Sequence, residues 1–237
     1  MSANMFARAR EVYQQTKKPI DNFWTAYLSR PVAAVFVAWF EPTRITPNQV
    51  TLLSFIVGML SAAWLALMPG HWALIVGALL FQFAYVLDCV DGMLARARRT
   101  SSPQGHLLDF LMDELKALAF LGAIALRLYF ETLQIHYLIL GVIGLVALSS
   151  GLSLTTFTRR PEMMPPAPVT TETPAPRALP IRFIEGIAKF LIHYPSYFLY
   201  VALANRADLY FYAYIAINLL YYARTFLSVA LRAGRFS

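Results

Sequence analysis

Cysteine is almost missing from this chain. Cys89 stands alone among 237 residues, so no intrachain disulfide can form and no cysteine-rich zinc site can be built. Charge is scarce as well. Asp, Glu, Lys and Arg make up 14% of the chain, against about 25% in soluble domains, while 58% of residues are hydrophobic. Residues 1–20 are polar and basic and hold no apolar run, so no cleavable signal peptide is expected. No internal repeat is visible. Acid is the rarer sign, with 13 Asp and Glu against 20 Lys and Arg and a net charge of +7. The bases are distributed between apolar stretches rather than along one soluble face. That argues against nucleic acid and for anionic lipid headgroups as partners.

What is present is apolar length. Six stretches, near 49–68, 72–95, 107–130, 136–158, 183–203 and 208–231, approach the roughly 20 residues that a helical crossing needs. An all-α polytopic membrane protein with six transmembrane helices is therefore expected. Bases gather before the first stretch (Arg8, Arg10, Lys17, Lys18, Arg30, Arg44), in the second connection (Arg98, Arg99), in the fourth (Arg159, Arg160, Arg177, Arg182) and in the tail (Arg232, Arg235). The connections at Pro69–His71 and Glu131–His136 hold no Lys or Arg. The positive-inside rule then places both termini in the cytoplasm. Residues 1–48 read as a cytoplasmic N-terminal segment ahead of a membrane domain over 49–237. Within that segment, Pro31 to Phe40 is apolar but too short to cross, and flanked by Trp24, Arg30 and Trp39 it reads as an interfacial helix. The loop at 159–182, with seven prolines between 161 and 180, reads as an extended linker.

Against this background four carboxylates stand out: Asp88, Asp91, Asp109 and Asp113. Each would cost roughly 2.5–3.5 kcal/mol or more at the bilayer centre. Asp88, Asp91, Gly92, Ala95 and Arg96 fall at i, i+3, i+4, i+7 and i+8, one face of a helix. Gly105, Asp109 and Asp113 share a second face, and the polar run with Pro103 between the two sets predicts a turn. Two antiparallel helices would bring the acids into one pocket, with Asp88 about 12 Å inside Arg96 at 1.5 Å per residue. Carboxylate oxygens suit Mg²⁺ or Mn²⁺. Four negative charges suggest a pair of ions, an arrangement that clamps phosphate. Gly92, Ala95 and Gly105 leave room for a nucleotide or diphosphate against bare backbone.

The run DxxDGxxARx8GxxxDxxxD, matched at all eight fixed positions from Asp88 to Asp113, resembles the signature of the CDP-alcohol phosphotransferase (phosphatidyltransferase) family. Ile45 to Thr51 (ITPNQVT) also resembles the start of that family's first membrane helix. The resemblance implies transfer of a phosphatidyl group from a CDP-alcohol, usually CDP-diacylglycerol, to an alcohol acceptor, with release of CMP. It implies Asp88, Asp91 and Asp109 as metal ligands, and Asp113 as the general base that also approaches a metal. Gly92, Ala95, Arg96 and Gly105 would frame the CDP moiety, and a homodimer is expected by analogy. Arg159 and Arg160 are candidates for contacting a phosphorylated acceptor such as inositol phosphate. Glycerol 3-phosphate, serine or a soluble CDP-alcohol donor with a lipid acceptor are alternatives. Other classes are a small ion-coupled transporter using the acids as an ion path, and a scaffold using the proline-rich loop. Lys116 is expected either to steer phosphate or to snorkel to the interface, Arg127 to anchor the far end of its helix, and Cys89 to pack.

Overall fold

The computed structural model describes residues 2–16, 24–158 and 195–233, and among these every regular element is helical. Helix α1 spans Ser2–Thr16. A π-helical turn at Thr25–Ser29 runs directly into α2, Arg30–Phe40. The membrane-length elements are α3 (Pro47–Leu67), α4 (His71–Ala97), α5 (Pro103–Thr132) and α6 (His136–Thr158). After the stretch 159–194 come α7 (Pro195–Leu203) and α8 (Ala207–Ala233).

Local chemistry sets these boundaries. Thr46 caps α3 through a reciprocal capping box with Gln49, and Pro47 takes the first helical position, where its missing N–H costs nothing. Ser102 and Pro103 repeat that start for α5, the Ser102 hydroxyl accepting from Gly105 N at 3.1 Å. At the α3–α4 turn Gly70 takes φ +88°, a conformation that glycine adopts without steric cost.

Small residues let α3, α4 and α5 interlock. Gly77 receives the Leu65 side chain so closely that a Cβ there would lie 2.3 Å from Leu65 Cδ2. Ser61 Oγ donates to Gly77 O at 2.8 Å, and Ser54 Oγ to Ala84 O at 2.9 Å. Such close approach replaces the hydrophobic driving force that lipid does not supply between helices. One apolar core gathers Phe81, Phe120, Phe198, Tyr210 and Phe211 from α4, α5, α7 and α8. A second joins Val12 of α1 with Ala33 and Val37 of α2, Val50 of α3, and Leu87, Val90 and Leu94 of α4. Outward faces carry exposed Leu52, Ile56 and Leu60 on α3 and Ile139, Val142 and Val146 on α6, a periodic apolar surface facing hydrocarbon.

Among the described residues, four helical segments are long and apolar enough to cross a membrane: Pro47–Leu67, His71–Ala97, His136–Phe157 and Ala207–Leu231. The protein is an all-α, polytopic integral membrane protein. At 30 residues α5 has the length, but it is too charged to qualify by apolarity, carrying Asp109, Asp113, Glu114, Lys116, Arg127 and Glu131. Most of the fifth expected crossing, residues 183–194, and the proline-rich loop lie outside the described residues.

Two expectations change here. The N-terminal segment contains a helix that composition alone did not suggest, because α1 buries only a narrow stripe including Ala9, Val12 and Thr16. It is tied to the rest by Arg8, whose Nε and Nη2 donate to both oxygens of Glu41 at 2.9 and 2.6 Å. Arg127 is not an interfacial anchor. At 2% exposure its guanidinium donates to Leu65 O, Met68 O and Gly70 O at 3.3, 2.8 and 2.6 Å, and pairs with Glu131 at 2.6 Å. It satisfies the Leu65 and Met68 carbonyls at the C-terminal end of α3 and adds a second donor to Gly70 O, the α4 cap carbonyl that also accepts from Leu74 N.

Candidate functional site: a carboxylate cluster beside a cavity

The antiparallel pair α4 and α5 places its two acidic faces together. One carboxylate oxygen from each of Asp88, Asp91 and Asp109 lies within 4.8 Å of the others. That is close enough for all three to reach one ion, and an all-oxygen donor set fits a hard dication.

A third helix holds the cluster in place. Thr51 Oγ1 donates to Asp91 Oδ2 at 2.5 Å, and Asp91 is only 4% exposed. One turn further along α3, Ser54 Oγ accepts from Lys116 Nζ at 3.0 Å. That ammonium also pairs with Asp88 Oδ1 at 2.6 Å and Asp113 Oδ1 at 2.8 Å. Lys116 therefore turns into the bundle instead of snorkelling. Gly58 makes this possible, since a Cβ there would meet Lys116 Cδ at 2.9 Å. Asp113 is 45% exposed. It shares Lys116 with Asp88 and lies outside the three-carboxylate group.

Beside the cluster opens a cavity of about 280 Å³, whose wall includes Asp91, Gly92, Ala95, Arg96, Gly105 and Asp109. The Arg96 guanidinium lies over Gly92, whose absent Cβ would stand 3.3 Å from Arg96 Nη1. A Cβ at Gly105 would come within 3.2 Å of Ser102 Oγ and 3.4 Å of Asn48 Oδ1. Both glycines thus keep backbone open where a side chain would crowd the space. The cap residue Thr46, with Asn48 and Thr51 of α3, adds to the wall, and His106 reaches it from α5. Arg98 pins this corner. Its Nη1 donates to Ile45 O at 2.5 Å, and its Nη2 to Phe40 O, Glu41 O and Thr43 O at 2.6, 3.1 and 3.0 Å. A second cavity, about 370 Å³, lies between α5, α6 and α8 and shares Asp113 with the site; Glu114, Tyr214, Asn218 and Tyr221 line it.

The structure thus brings seven of the eight motif residues to one cavity and carboxylate cluster, with Asp113 joined to Asp88 both directly and through the shared Lys116 ammonium. Arg159 and Arg160 lie outside the described residues. Reading the chain alone missed Thr51, Ser54, Gly58 and the part played by Arg98. A signal was available for three of these: Thr51, Ser54, Gly58 and Ser61 fall at i, i+3, i+7 and i+10, a small and polar stripe on an otherwise apolar helix. His71 and His136 are ordinary polar contacts, to Ala202 O and the Tyr212 hydroxyl, each at 3.0 Å. Cys89 packs, half-buried, against the core shared by α1, α2 and α4.

An all-helical membrane protein whose acidic motif converges on one cavity defines a narrow class. The profile of the CDP-alcohol phosphatidyltransferase family matches residues 44–229, and the chain belongs to that family. Among similar proteins is the bifunctional IPC transferase and DIPP synthase of Aquifex aeolicus, 33% identical over 108 residues, covering 46% of this chain and 24% of the relative. The protein of the same name from Thermococcus kodakarensis is 30% identical over 145 residues, covering 60% and 32%. Human ethanolaminephosphotransferase 1 is 33% identical over 99 residues, covering 38% and 24%. The chain thus matches 24–32% of the length of these relatives.

Proposed function

We propose that this protein transfers a substituted phosphoryl group from a CDP-alcohol to an alcohol acceptor with release of CMP, as a step of phospholipid biosynthesis. The observation that carries this reading is the family match over 44–229 together with the convergence of its motif residues on one cavity. CDP-diacylglycerol is the proposed donor, its tails in the bilayer and its diphosphate against Gly92, Gly105 and Arg96. Asp88, Asp91 and Asp109 would hold a divalent ion, Mg²⁺ or Mn²⁺, and the bound ion would offset negative charge on the diphosphate and the departing CMP.

The chain's own groups supply the rest. The acceptor hydroxyl attacks the phosphorus bearing the lipid alcohol, its proton passes to a carboxylate oxygen of Asp113, and the bond to the CMP phosphate breaks. Asp113 suits this role because it is the half-exposed member of the set and opens onto the second cavity, where an acceptor has space to approach. Arg96, drawn over Gly92, is placed to steady the diphosphate by charge-assisted hydrogen bonds. Buried Thr51 and Lys116 keep Asp91 and Asp88 oriented without touching substrate.

The proposed acceptor is an inositol phosphate, which the relatives named IPC transferase and DIPP synthase support, with Arg159 and Arg160 meeting its phosphate. The match to ethanolaminephosphotransferase 1 favours a second reading, a soluble CDP-alcohol donor with a lipid acceptor. We further propose six crossings with both termini cytoplasmic, the acidic site in the inner leaflet, and a homodimer. Purified protein with Mg²⁺ or Mn²⁺ is to be assayed for CMP release from CDP-diacylglycerol with inositol phosphate, glycerol 3-phosphate or serine. A parallel arm supplies CDP-ethanolamine and diacylglycerol. Release in one arm only, abolished by Asp113→Asn, names the donor class. No release and no CDP binding in either arm would overturn the enzyme reading in favour of an ion path.

A further inference from the structure

Arg98 lies just past Arg96, the last motif residue of α4, and holds no fixed position of the motif. Its backbone closes that helix, the Arg98 N–H donating to Leu94 O at 3.0 Å. Its Cα is therefore set relative to the turns that carry Asp91, Gly92, Ala95 and Arg96. The side chain reaches away into the connection between α2 and α3. There Nη2 donates to Phe40 O, Glu41 O and Thr43 O at 2.6, 3.1 and 3.0 Å, and Nη1 to Ile45 O at 2.5 Å. Residues 40–45 thus curl round one guanidinium. A planar fork offers donors at separated points, whereas a lysine ammonium offers three from a single atom.

The Ile45 carbonyl is the contact nearest the cavity. It belongs to the peptide that enters Thr46, the cap of α3. Thr46 N donates to Gln49 Oε1 at 2.9 Å, and the Thr46 hydroxyl accepts from Gln49 N at 3.3 Å. Thr46 and Asn48 line the cavity, and Asn48 faces Gly105 of α5, where a Cβ would lie 3.4 Å from Asn48 Oδ1. Arg98 therefore ties the N-terminus of α3 to the C-terminus of α4, and with it the spacing between Asn48 and Gly105. The outer end of the same connection is held separately, by Arg8 of α1 on the Glu41 carboxylate.

We propose that Arg98 is a positioning residue for nucleotide binding. By clasping the α2–α3 connection it holds Thr46 and Asn48 ready to receive the CMP part of a CDP-alcohol, and it acts through them rather than by its own charge. The proposal rests on the reading above that this cavity takes the CDP moiety.

The test reads binding, not turnover. CMP is titrated into full-length protein in detergent with Mn²⁺ by isothermal calorimetry, with thermal unfolding as the folding control. Arg98→Met and Arg98→Lys are both expected to raise the Kd for CMP roughly 3–10-fold, because a wall no longer held in place must be ordered on binding. Arg8→Met, which frees only the outer end of the connection, should keep the wild-type Kd. Wild-type affinity in Arg98→Lys would show that charge alone suffices and would overturn the proposal, as would wild-type affinity in Arg98→Met. An equal weakening in Arg8→Met would overturn it too, since general loosening would then account for the effect. Should neither Arg98 variant fold, hydrogen exchange in the wild type decides. The amides of Thr46, Gln49 and Val50 are expected to be protected before CMP is added and no slower afterwards, and protection that arises only with CMP would overturn the proposal. Absence of CMP binding by the wild type would overturn the nucleotide reading of the cavity, and the proposal with it, a result distinct from binding that ignores Arg98.

Discussion

Replacing Thr51 with valine removes one hydroxyl and leaves almost the same shape, because both side chains are β-branched. The lost donor lies 2.5 Å from Asp91 Oδ2, and Asp91 is 4% exposed, so water cannot readily substitute. A hydrogen bond to a charged group contributes about 1.5–3 kcal/mol. Burying a methyl in place of a hydroxyl returns some of this, so the net loss of stability is expected near the lower figure, about 1.5 kcal/mol. The functional effect is expected to be larger than the thermal one. Groups that orient metal ligands typically change metal affinity or activity by about 10–100-fold when removed. Thr51→Val should therefore raise the Mn²⁺ concentration needed for half-maximal CMP release by at least about tenfold, whereas Thr51→Ser, which keeps the hydroxyl, should stay near wild type. The assay is CMP release against Mn²⁺ concentration at saturating donor, with thermal unfolding in detergent as the folding control. A folded Thr51→Val with the wild-type metal dependence would refute the reasoning.

Three further outcomes are expected. Arg127→Met should destabilise the protein by about 2–3 kcal/mol, since it leaves the Leu65 and Met68 carbonyls and the partly exposed Glu131 without their guanidinium. Because Arg127 is remote from the cavity residues, the KM for donor should not change in protein that remains folded, and a raised KM would contradict a structural role. Gly77→Val should lower the unfolding temperature despite its better helix propensity, because overpacking costs about 1–3 kcal/mol where a Cβ would already stand 2.3 Å from Leu65; an unchanged temperature would show that α3 and α4 can separate freely. Arg8 holds the Glu41 carboxyl below its ordinary value of 4.5, chiefly through their hydrogen bonds. With a depressed folded value, the contribution of this pair is present above pH 4.5 and is lost as pH falls through the folded value. Hydrogen exchange in α1 should accelerate below that window in the wild type, and Glu41→Gln should show fast exchange at every pH.

Much of the architecture was legible from the chain. Apolar runs marked α3, α4, α6 and α8 because a crossing helix must be apolar over its whole length. The short run before Glu41 marked α2. Helix α1 escaped notice because its buried stripe is narrow and its other faces are polar, so its helicity depends on docking against α2 and α4. Arg127 was misread because position near a helix end is compatible with either anchoring or capping. Only the neighbouring α3 end, with the Leu65 and Met68 carbonyls facing it, selects between the two.

The same division runs through the site. Local spacing alone puts Asp88, Asp91, Gly92, Ala95 and Arg96 on one helix face and Gly105, Asp109 and Asp113 on another, because helical periodicity is a property reaching only a few residues along the chain. It also determined that acids so placed in apolar helices must face one another and a cation, since lipid tolerates neither alone. The packing of the helices is what set Thr51 against Asp91, turned Lys116 inward and brought Asp113 against Asp88. Those outcomes depend on which small residue of a distant segment faces each position. Lys116 reaches Asp88 because Gly58, on another helix, leaves the passage open, and nothing within a few residues of Lys116 records that fact.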